Sequence, residues 1–233
     1  MLQNPKISVS CVLRHFALLL YGRWVKWYIQ RERIFRYKRL QVKVPPGVFH
    51  PGLYGSTPLF IDFLEKIAFS GKKVLEMGTG SGLPAIFAAQ KGGIVTALDI
   101  SPLAVRTAQS NAARNGVSMR VLQSDLWAAL PPDCFEEILV NPPYYNKTPD
   151  HLAEYAFFAG EGLTYFDRFF EGLAAFLAPE GRVWMIVSEN CDTVAITEKG
   201  RRRGFDIHIV PAGTWWGERF MIVCCWRGAY SFL

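Results

Sequence analysis

Cysteine is scarce in this sequence of 233 residues, and no pattern would pair the cysteines or hold a metal ion. The five cysteines are an odd number and form no Cys-x-x-Cys pair. Their positions are Cys11, Cys134, Cys191, Cys224 and Cys225. This usage excludes a disulfide framework and a zinc site. We therefore expect reduced, mostly buried thiols, no bound metal and a cytoplasmic location.

Long hydrophobic runs are also missing. Residues 9–28 are apolar and aromatic, but four polar residues interrupt them, Arg14, His15, Arg23 and Lys26. The longest uncharged apolar run, Phe16 to Tyr21, is far shorter than the roughly 20 residues that span a bilayer. No small-residue cleavage site follows it, so we predict neither a membrane span nor a signal peptide. Internal repeats and low-complexity tracts are absent as well.

The positive charge of the chain is concentrated in one segment. Eight basic residues and one acid lie between Arg23 and Lys43, whereas the whole chain has a net charge of only +6. With 50% hydrophobic residues, the remainder is long enough for one α/β domain with a full core. We therefore predict a basic, aromatic, helical extension over residues 1–43 and a catalytic domain over residues 44–233.

Three interpretations of the basic extension stay open. Interleaved cations and aromatic rings suit a nucleic-acid backbone with stacked bases, which would make Arg31, Arg33, Arg36 and Arg39 substrate contacts. The same composition suits a helix lying on an anionic membrane surface. A helical cap with solvated charges is the third interpretation. The sequence does not predict an oligomeric state.

The most informative stretch runs from Val74 to Gly82, where an apolar strand enters a Gly-x-Gly-x-Gly turn. Closely spaced glycines let a backbone approach a ligand where any Cβ atom would clash. Pro84 is suited to the first turn of a following helix, whose free N–H groups would point at that ligand. The turn therefore predicts a binding site after the first core strand.

Acidic residues follow the next two predicted strands. Asp99 ends the second strand, about 20 residues after Glu76, where α/β nucleotide-binding folds place a carboxylate on ribose hydroxyls. Ser101 can cap the helix that comes next, which leaves Asp99 for a ligand. Asp125 follows the third strand at the same edge of the sheet and is a second candidate contact. Near the chain start, Thr57 is a predicted helix N-cap before Pro58.

A second motif, Asn141-Pro142-Pro143-Tyr144, follows the apolar run from Glu137 to Val140. The run predicts a buried parallel strand. A plain proline-rich turn would explain the two prolines but would leave Asn141 and Tyr144 unexplained. Asn-Pro-Pro-Tyr at the end of a fourth strand is typical of enzymes that methylate planar exocyclic nitrogens.

Taken together, residues 44–228 resemble the small-domain class I S-adenosylmethionine-dependent methyltransferases. This group includes ribosomal and transfer RNA methyltransferases and release-factor glutamine methyltransferases. The resemblance is carried by five stretches, Gly47-Val48-Phe49, Ser56-Thr57, the glycine turn, Asp99 and residues 141–144. It implies an α/β, Rossmann-like, doubly wound fold with a seven-stranded sheet whose last strand is antiparallel. The first 43 residues lie outside it.

The resemblance also implies a cofactor and a set of site residues. S-adenosyl-L-methionine would be bound by Thr57, Glu76, Gly78, Thr79, Gly80, Gly82, Asp99, Ile100, Asp125 and Asn141, with Asp125 accepting a hydrogen bond from the adenine amino group. The implied catalytic residues are Asn141, Pro142 and Tyr144, and Pro143 and Tyr145 would contact the substrate.

The chemistry of these residues suits a poor nucleophile. The lone pair of an adenine amino or glutamine amide nitrogen is delocalised, so orientation by the Asn141 side-chain oxygen and the Pro142 carbonyl can replace a strong base. Tyr144 would stack on the planar group. We expect an N-methyltransferase acting on an adenine amino group in RNA. A glutamine-amide or small-molecule methyltransferase is the alternative, and a non-catalytic binding protein is the least favoured hypothesis.

Overall fold

A computed structural model describes residues 23–25 and 27–228 of the chain. Seven strands form one sheet in the order β5-β4-β3-β6-β7-β9-β8. The last strand, β9, is antiparallel to both of its neighbours, and the other pairings within the sheet are parallel. The strands are β3 Lys73–Met77, β4 Ile94–Asp99, β5 Arg120–Gln123, β6 Phe135–Val140, β7 Leu177–Ser188, β8 Asp206–Trp215 and β9 Glu218–Trp226. The predicted sheet is confirmed.

Helices cover both faces of this sheet. Five α-helices are described, α1 Ser56–Leu64, α2 Leu83–Gln90, α3 Pro102–Arg114, α4 Thr164–Phe176 and α5 Thr193–Arg202, with 3₁₀ turns at Leu152–Ala156 and Glu161–Leu163. Neighbouring strand residues point to opposite faces, so Leu139 joins the core under α1 to α3 whereas Ile138 and Val140 join the core under α4 and α5. Two buried faces explain why the strands are almost continuously apolar.

The basic segment is not the helix that we predicted. Residues 23–25 and 27–28 are helical, but a β-hairpin follows, with β1 at Arg33–Tyr37 and β2 at Leu40–Val44. Leu40, Val42 and Val44 are buried at every second position of β2. That period of two selects a strand over a helix and outweighs the helical interpretation of the interleaved charges. The helical prediction is therefore wrong for residues 33–44.

The hairpin also belongs to the core of the domain. The buried side chains of β2 pack in the same hydrophobic cluster as Phe60 of α1 and Ile86 of α2. The predicted division after residue 43 thus falls within β2. The predictions made for residues 1–22 and for Lys26 lie outside the described residues. Within the described part, no helix is long and apolar enough to cross a membrane.

Candidate active site

The predicted site residues converge on one cavity of about 450 Å³ at the carboxyl ends of β3, β4, β5 and β6. Loops collect ligands at this edge of an open α/β sheet. The cavity lining includes thirteen predicted residues, Thr57, Glu76, Gly78, Thr79, Gly80, Asp99, Ile100, Asp125, Asn141, Pro142, Pro143, Tyr144 and Tyr145. Gly82 and the four arginines predicted as substrate contacts do not line it. The predicted residues therefore lie together on one cavity, and the rest of its lining comes from residues that the sequence did not indicate.

The glycine turn is held against β4 by its backbone. The N–H groups of Gly78 and Thr79 donate to the carbonyl of Leu98 at 2.9 and 2.8 Å. Gly78 has a φ of +75°, and a Cβ atom there would meet no atom within 4 Å, so space is left open beside the turn. Gly82, by contrast, packs on α3, where a Cβ atom would lie 3.1 Å from the Ala108 Cα atom. Gly82 therefore packs against α3 and does not line the cavity, although it was predicted to contact the cofactor.

Two carboxyl groups hold the turn, the half-buried Asp99 and the buried Glu76. Asp99 accepts hydrogen bonds from the backbone N–H groups of Gly80 at 2.8 Å and Ser101 at 2.9 Å, and burial raises its pKa. Glu76 accepts from the Thr79 hydroxyl and from the backbone N–H of Ala85. The predicted cap of α3 is confirmed, because the Ser101 hydroxyl accepts from the helix backbone. Asp99 is thereby free to line the cavity.

Glu76 makes the stability of the protein depend on pH. Burial raises its pKa from 4.5 to about 8, so the folded chain holds a proton that the unfolded chain releases. The stabilisation is complete below pH 4.5 and is lost as the pH rises to about 8. Between pH 5 and 7, we expect the free energy of unfolding to fall by about 2 kcal/mol more in the wild type than in Glu76→Gln. Denaturant titrations at pH 5, 6 and 7 test this, and parallel pH profiles would contradict it.

Asn141 stands at the other side of the cavity, directly after β6. Its Nδ2 atom donates to the Ser56 hydroxyl at 3.1 Å and to the Thr57 hydroxyl at 3.3 Å. Its Oδ1 atom makes no hydrogen bond with the described residues, and Asn141 lines the cavity. The predicted N-cap at Thr57 is wrong, because α1 begins at Ser56 after Gly55 in a left-handed conformation. The two hydroxyls fix the amide of Asn141 instead.

An aromatic loop closes the same side of the cavity. The backbone N–H groups of Tyr144 and Tyr145 both donate to the carbonyl of Phe157, at 3.1 and 3.0 Å. Phe157 packs against Phe49 and Tyr54, with ring centroids 5.7 and 5.4 Å away. Tyr54 and Phe157 were missed by sequence reasoning, and the clustering of aromatics in their two loops is the signal that was available. The rings give flat walls suited to a planar group.

Asp125 is engaged by a residue that the sequence did not indicate. The Arg168 Nη2 atom lies 2.8 Å from the Asp125 Oδ2 atom. Arg168 comes from α4, 43 positions further along the chain, so no local pattern links the two residues. Five ionisable residues line the cavity, Glu76, Asp99, Asp125, Glu161 and Arg168. Four of these five are acids, but Glu76, with its pKa raised to about 8, adds no negative charge at neutral pH.

The arginines of the basic segment differ in what they contact. The guanidinium of Arg33 lies 4.2 Å over the ring of Tyr28, and its Nε atom donates to the Tyr28 carbonyl at 2.9 Å. This packing gives Arg33 an internal structural role. Arg31, Arg36 and Arg39 are exposed, and none of the described acids forms an ion pair with them. Of the four arginines predicted to contact the substrate, these three are therefore free for a polyanion.

The residues of the cavity fit S-adenosylmethionine. Its ribose hydroxyls need an acceptor beside a glycine turn, and the half-buried Asp99 provides one. Its cationic sulfonium and ammonium groups suit a wall on which acids outnumber bases. The open space at Gly78 is where a Cβ atom would intrude on a bound molecule. A volume of about 450 Å³ is within the usual range for small-molecule sites.

Comparisons with known proteins point the same way. Residues 39–200 match the family model described as "Methyltransferase small domain". The chain is 30% identical over 200 residues to a protein of Methanocaldococcus jannaschii whose name describes it as a protein N5-glutamine methyltransferase, covering 83% of this chain and 99% of that one. Ribosomal protein L11 methyltransferase of Thermus thermophilus is 40% identical over 99 residues, which is 42% of this chain and 39% of the relative.

Among solved structures, the 16S rRNA N2 G1207 methyltransferase RsmC of T. thermophilus, in complex with AdoMet and guanosine, has a similar fold. The TM-score is 0.63 at 19% identity, and the match covers 85% of this chain and 50% of that chain. The chain therefore spans nearly the full length of one relative and half or less of the other two.

Proposed function

The chain belongs to the methyltransferase small-domain family and uses S-adenosylmethionine as its methyl donor, and from this premise we propose that it methylates the side-chain amide nitrogen of a glutamine in a polypeptide. The observation that carries transfer to a planar nitrogen is the fixed amide of Asn141 on the cavity wall, whose Oδ1 atom makes no hydrogen bond with the described residues. The charges and exposed apolar side chains around it favour a glutamine amide as that nitrogen.

Orientation is the main task of the protein in this proposal. The cofactor supplies an electrophilic methyl group. The Asn141 Oδ1 atom and the Pro142 carbonyl each accept one N–H of the acceptor amide, so the remaining lobe of its nitrogen faces the donor. The same two oxygens stabilise the positive charge that develops on the nitrogen during transfer. Tyr144 packs on the amide plane, and burial raises the pKa of its hydroxyl, so the ring stays neutral.

The charges and the exposed apolar side chains around the cavity favour a polypeptide over a polyanion as substrate. Acids dominate the charged lining, and Arg168 is already paired with Asp125. A phosphate backbone would be repelled here, whereas an uncharged amide is not. Tyr145, Leu152 and Tyr155 line the cavity with more than two fifths of their surface exposed, which suits contact with the side chains of a polypeptide. The name of the M. jannaschii relative supports the same acceptor class.

A second candidate acceptor is an adenine amino group in RNA. It shares the planar nitrogen that Asn141 would orient, and the exposed Arg31, Arg36 and Arg39 favour it. A triple alanine variant at these positions separates the two candidates, since Arg33 keeps its internal contacts there. With an RNA acceptor, the variant should bind RNA more weakly and lower the slope of log affinity against log salt by roughly 0.7 to 0.9 per lost phosphate contact. With a glutamine acceptor, methylation should be unchanged.

The direct test is the chemical position of the transferred methyl group. We would incubate the protein with methyl-labelled S-adenosylmethionine and separated protein, RNA, DNA and small-molecule fractions of cells, with Asn141→Ala as the matched control. We expect label in the protein fraction that resists ribonuclease and is released as methylamine on acid hydrolysis, because an N-methyl amide yields methylamine. Label recovered as methylated adenine would support the second candidate, and label confined to small molecules would contradict both.

A further inference from the structure

Asn111 connects three parts of the molecule without lining the cavity. It lies on α3 and is completely buried. Its Oδ1 atom accepts from the Lys43 backbone N–H at 2.8 Å, and its Nδ2 atom donates to the Lys43 carbonyl at 2.9 Å. The same Nδ2 atom donates to the Ser81 carbonyl at 2.9 Å. One side chain therefore ties β2 of the hairpin to the glycine turn.

Asn115, one helical turn later, provides a natural comparison. It accepts from the Gln41 backbone N–H at 3.0 Å and donates to the Gln41 carbonyl at 2.8 Å. Its third hydrogen bond goes to the Asn111 carbonyl at 2.7 Å, at the C-terminal end of α3. Both asparagines thus make two bonds to β2 and one more. They differ in that third partner, which is the glycine turn only for Asn111.

The bond to Ser81 matters because the cavity has two walls that meet here. Ser81 lines one wall as part of the glycine turn. The chain leaving β2 lines the facing wall with Gly47, Val48 and Phe49, and Phe49 is the nearest side chain to the position of a Cβ atom on Gly80, at 4.0 Å. Asn111 bonds to Ser81 and to Lys43, which lies in β2 four positions before Gly47, so it ties the glycine turn to the strand from which the facing segment leaves.

We infer that Asn111 is a positioning residue that sets the distance between the glycine turn and the segment after β2, and thereby the fit of S-adenosylmethionine. The hairpin then acts in cofactor binding, although it lies outside the seven-stranded sheet. A buried amide bonded on every side has one orientation, so the separation is fixed before the cofactor arrives. The inference rests on the proposed position of the cofactor at the glycine turn.

The test compares Asn111→Ala with Asn115→Ala, because each variant loses three hydrogen bonds and two of them are to β2. Both should lower the denaturation midpoint. We expect Asn111→Ala to weaken S-adenosylmethionine binding tenfold or more in calorimetry, and Asn115→Ala to change it less than threefold. An equal loss of cofactor affinity in both variants would assign the effect to the general stability of the hairpin and overturn the inference. Unchanged cofactor affinity in Asn111→Ala would overturn it as well.

A measurement on the wild type covers the case in which Asn111→Ala does not fold. Coupling between sites is reciprocal, so a bound cofactor should slow hydrogen exchange of the Lys43 amide, which Asn111 holds, more than that of the Gln41 amide, which Asn115 holds. Equal exchange rates with and without S-adenosylmethionine would contradict the inference. Asp99→Ala distinguishes a failure of this inference from a failure of the proposed cofactor position. If Asp99→Ala and Asn111→Ala both bind the cofactor with wild-type affinity, the cofactor does not lie at the glycine turn. If only Asp99→Ala weakens binding, the cofactor position stands and the role of Asn111 is excluded.

Discussion

Asn141→Ala is expected to lower kcat by about 100-fold or more while the Kd for S-adenosylmethionine stays within twofold of the wild-type value. The side-chain oxygen would orient the acceptor and stabilise charge that exists only during transfer, so its removal should affect the rate and not cofactor affinity. Single-turnover methylation of the substrate identified by labelling measures the rate, and calorimetry measures the affinity. Transfer at a near wild-type rate would exclude the orienting mechanism.

The hydroxyls behind Asn141 provide a graded control. Ser56→Ala and Thr57→Ala each remove one of the two acceptors that hold its Nδ2 atom, at 3.1 and 3.3 Å. If the amide needs a fixed orientation, each single variant should lose part of kcat and the double variant should lose more. The Kd of Thr57→Ala also tests the prediction that Thr57 contacts the cofactor. A weaker Kd with normal kcat would assign Thr57 to cofactor binding rather than to positioning.

Asp99→Ala is expected to weaken S-adenosylmethionine binding by about 1.5 to 3 kcal/mol, which corresponds to a Kd increase of roughly 10- to 150-fold. The carboxylate is half-buried at the cavity wall and already accepts a hydrogen bond from the Gly80 backbone N–H at 2.8 Å. The variant therefore loses both a ligand acceptor and a support of the turn. Calorimetry on the folded variant gives the Kd, and thermal unfolding shows how much of the loss is structural.

Asp125→Ala is the matched control for Asp99→Ala. Both carboxylates were predicted to contact the cofactor and both line the cavity, but Asp125 is half exposed and paired with Arg168. Solvent screening weakens such a group, so we expect a loss below about 1 kcal/mol. An affinity loss at Asp125 equal to that at Asp99 would mean that exposure does not decide the contribution here. Unchanged affinity in both variants would move the cofactor away from this turn.

Local patterns predicted the sheet and the strand-end residues because both depend on short-range rules. The turn at Gly78 and Gly80 and the acid at Asp99 follow from strand ends and spacing along a parallel sheet. We predicted a helix instead of the hairpin because we relied on the pattern of charged residues and not on the alternating apolar residues Leu40, Val42 and Val44, which are buried. Hydrophobic periodicity was the better signal there.

Contacts between distant segments could not be read from the sequence. Arg168 reaches Asp125 across 43 positions, Asn141 reaches Ser56 across 85, and Asn111 reaches Lys43 across 68. Each depends on the folded order of elements and on side-chain direction, which no spacing along the chain encodes. Sequence reasoning therefore located the cavity wall, and the structure was needed to identify what holds the wall in place.

Asn111 of α3 and Asn115 just after it also close one strand edge of the hairpin. A β-hairpin outside the main sheet has an outer strand edge with unpaired backbone groups, and such an edge can template pairing with another chain. On β2, the N–H and C=O groups of Gln41 and Lys43 are bonded to the side chains of Asn115 and Asn111. The asparagine side chains bond to the backbone groups that a further strand would need, so no strand can pair with β2 at Gln41 and Lys43.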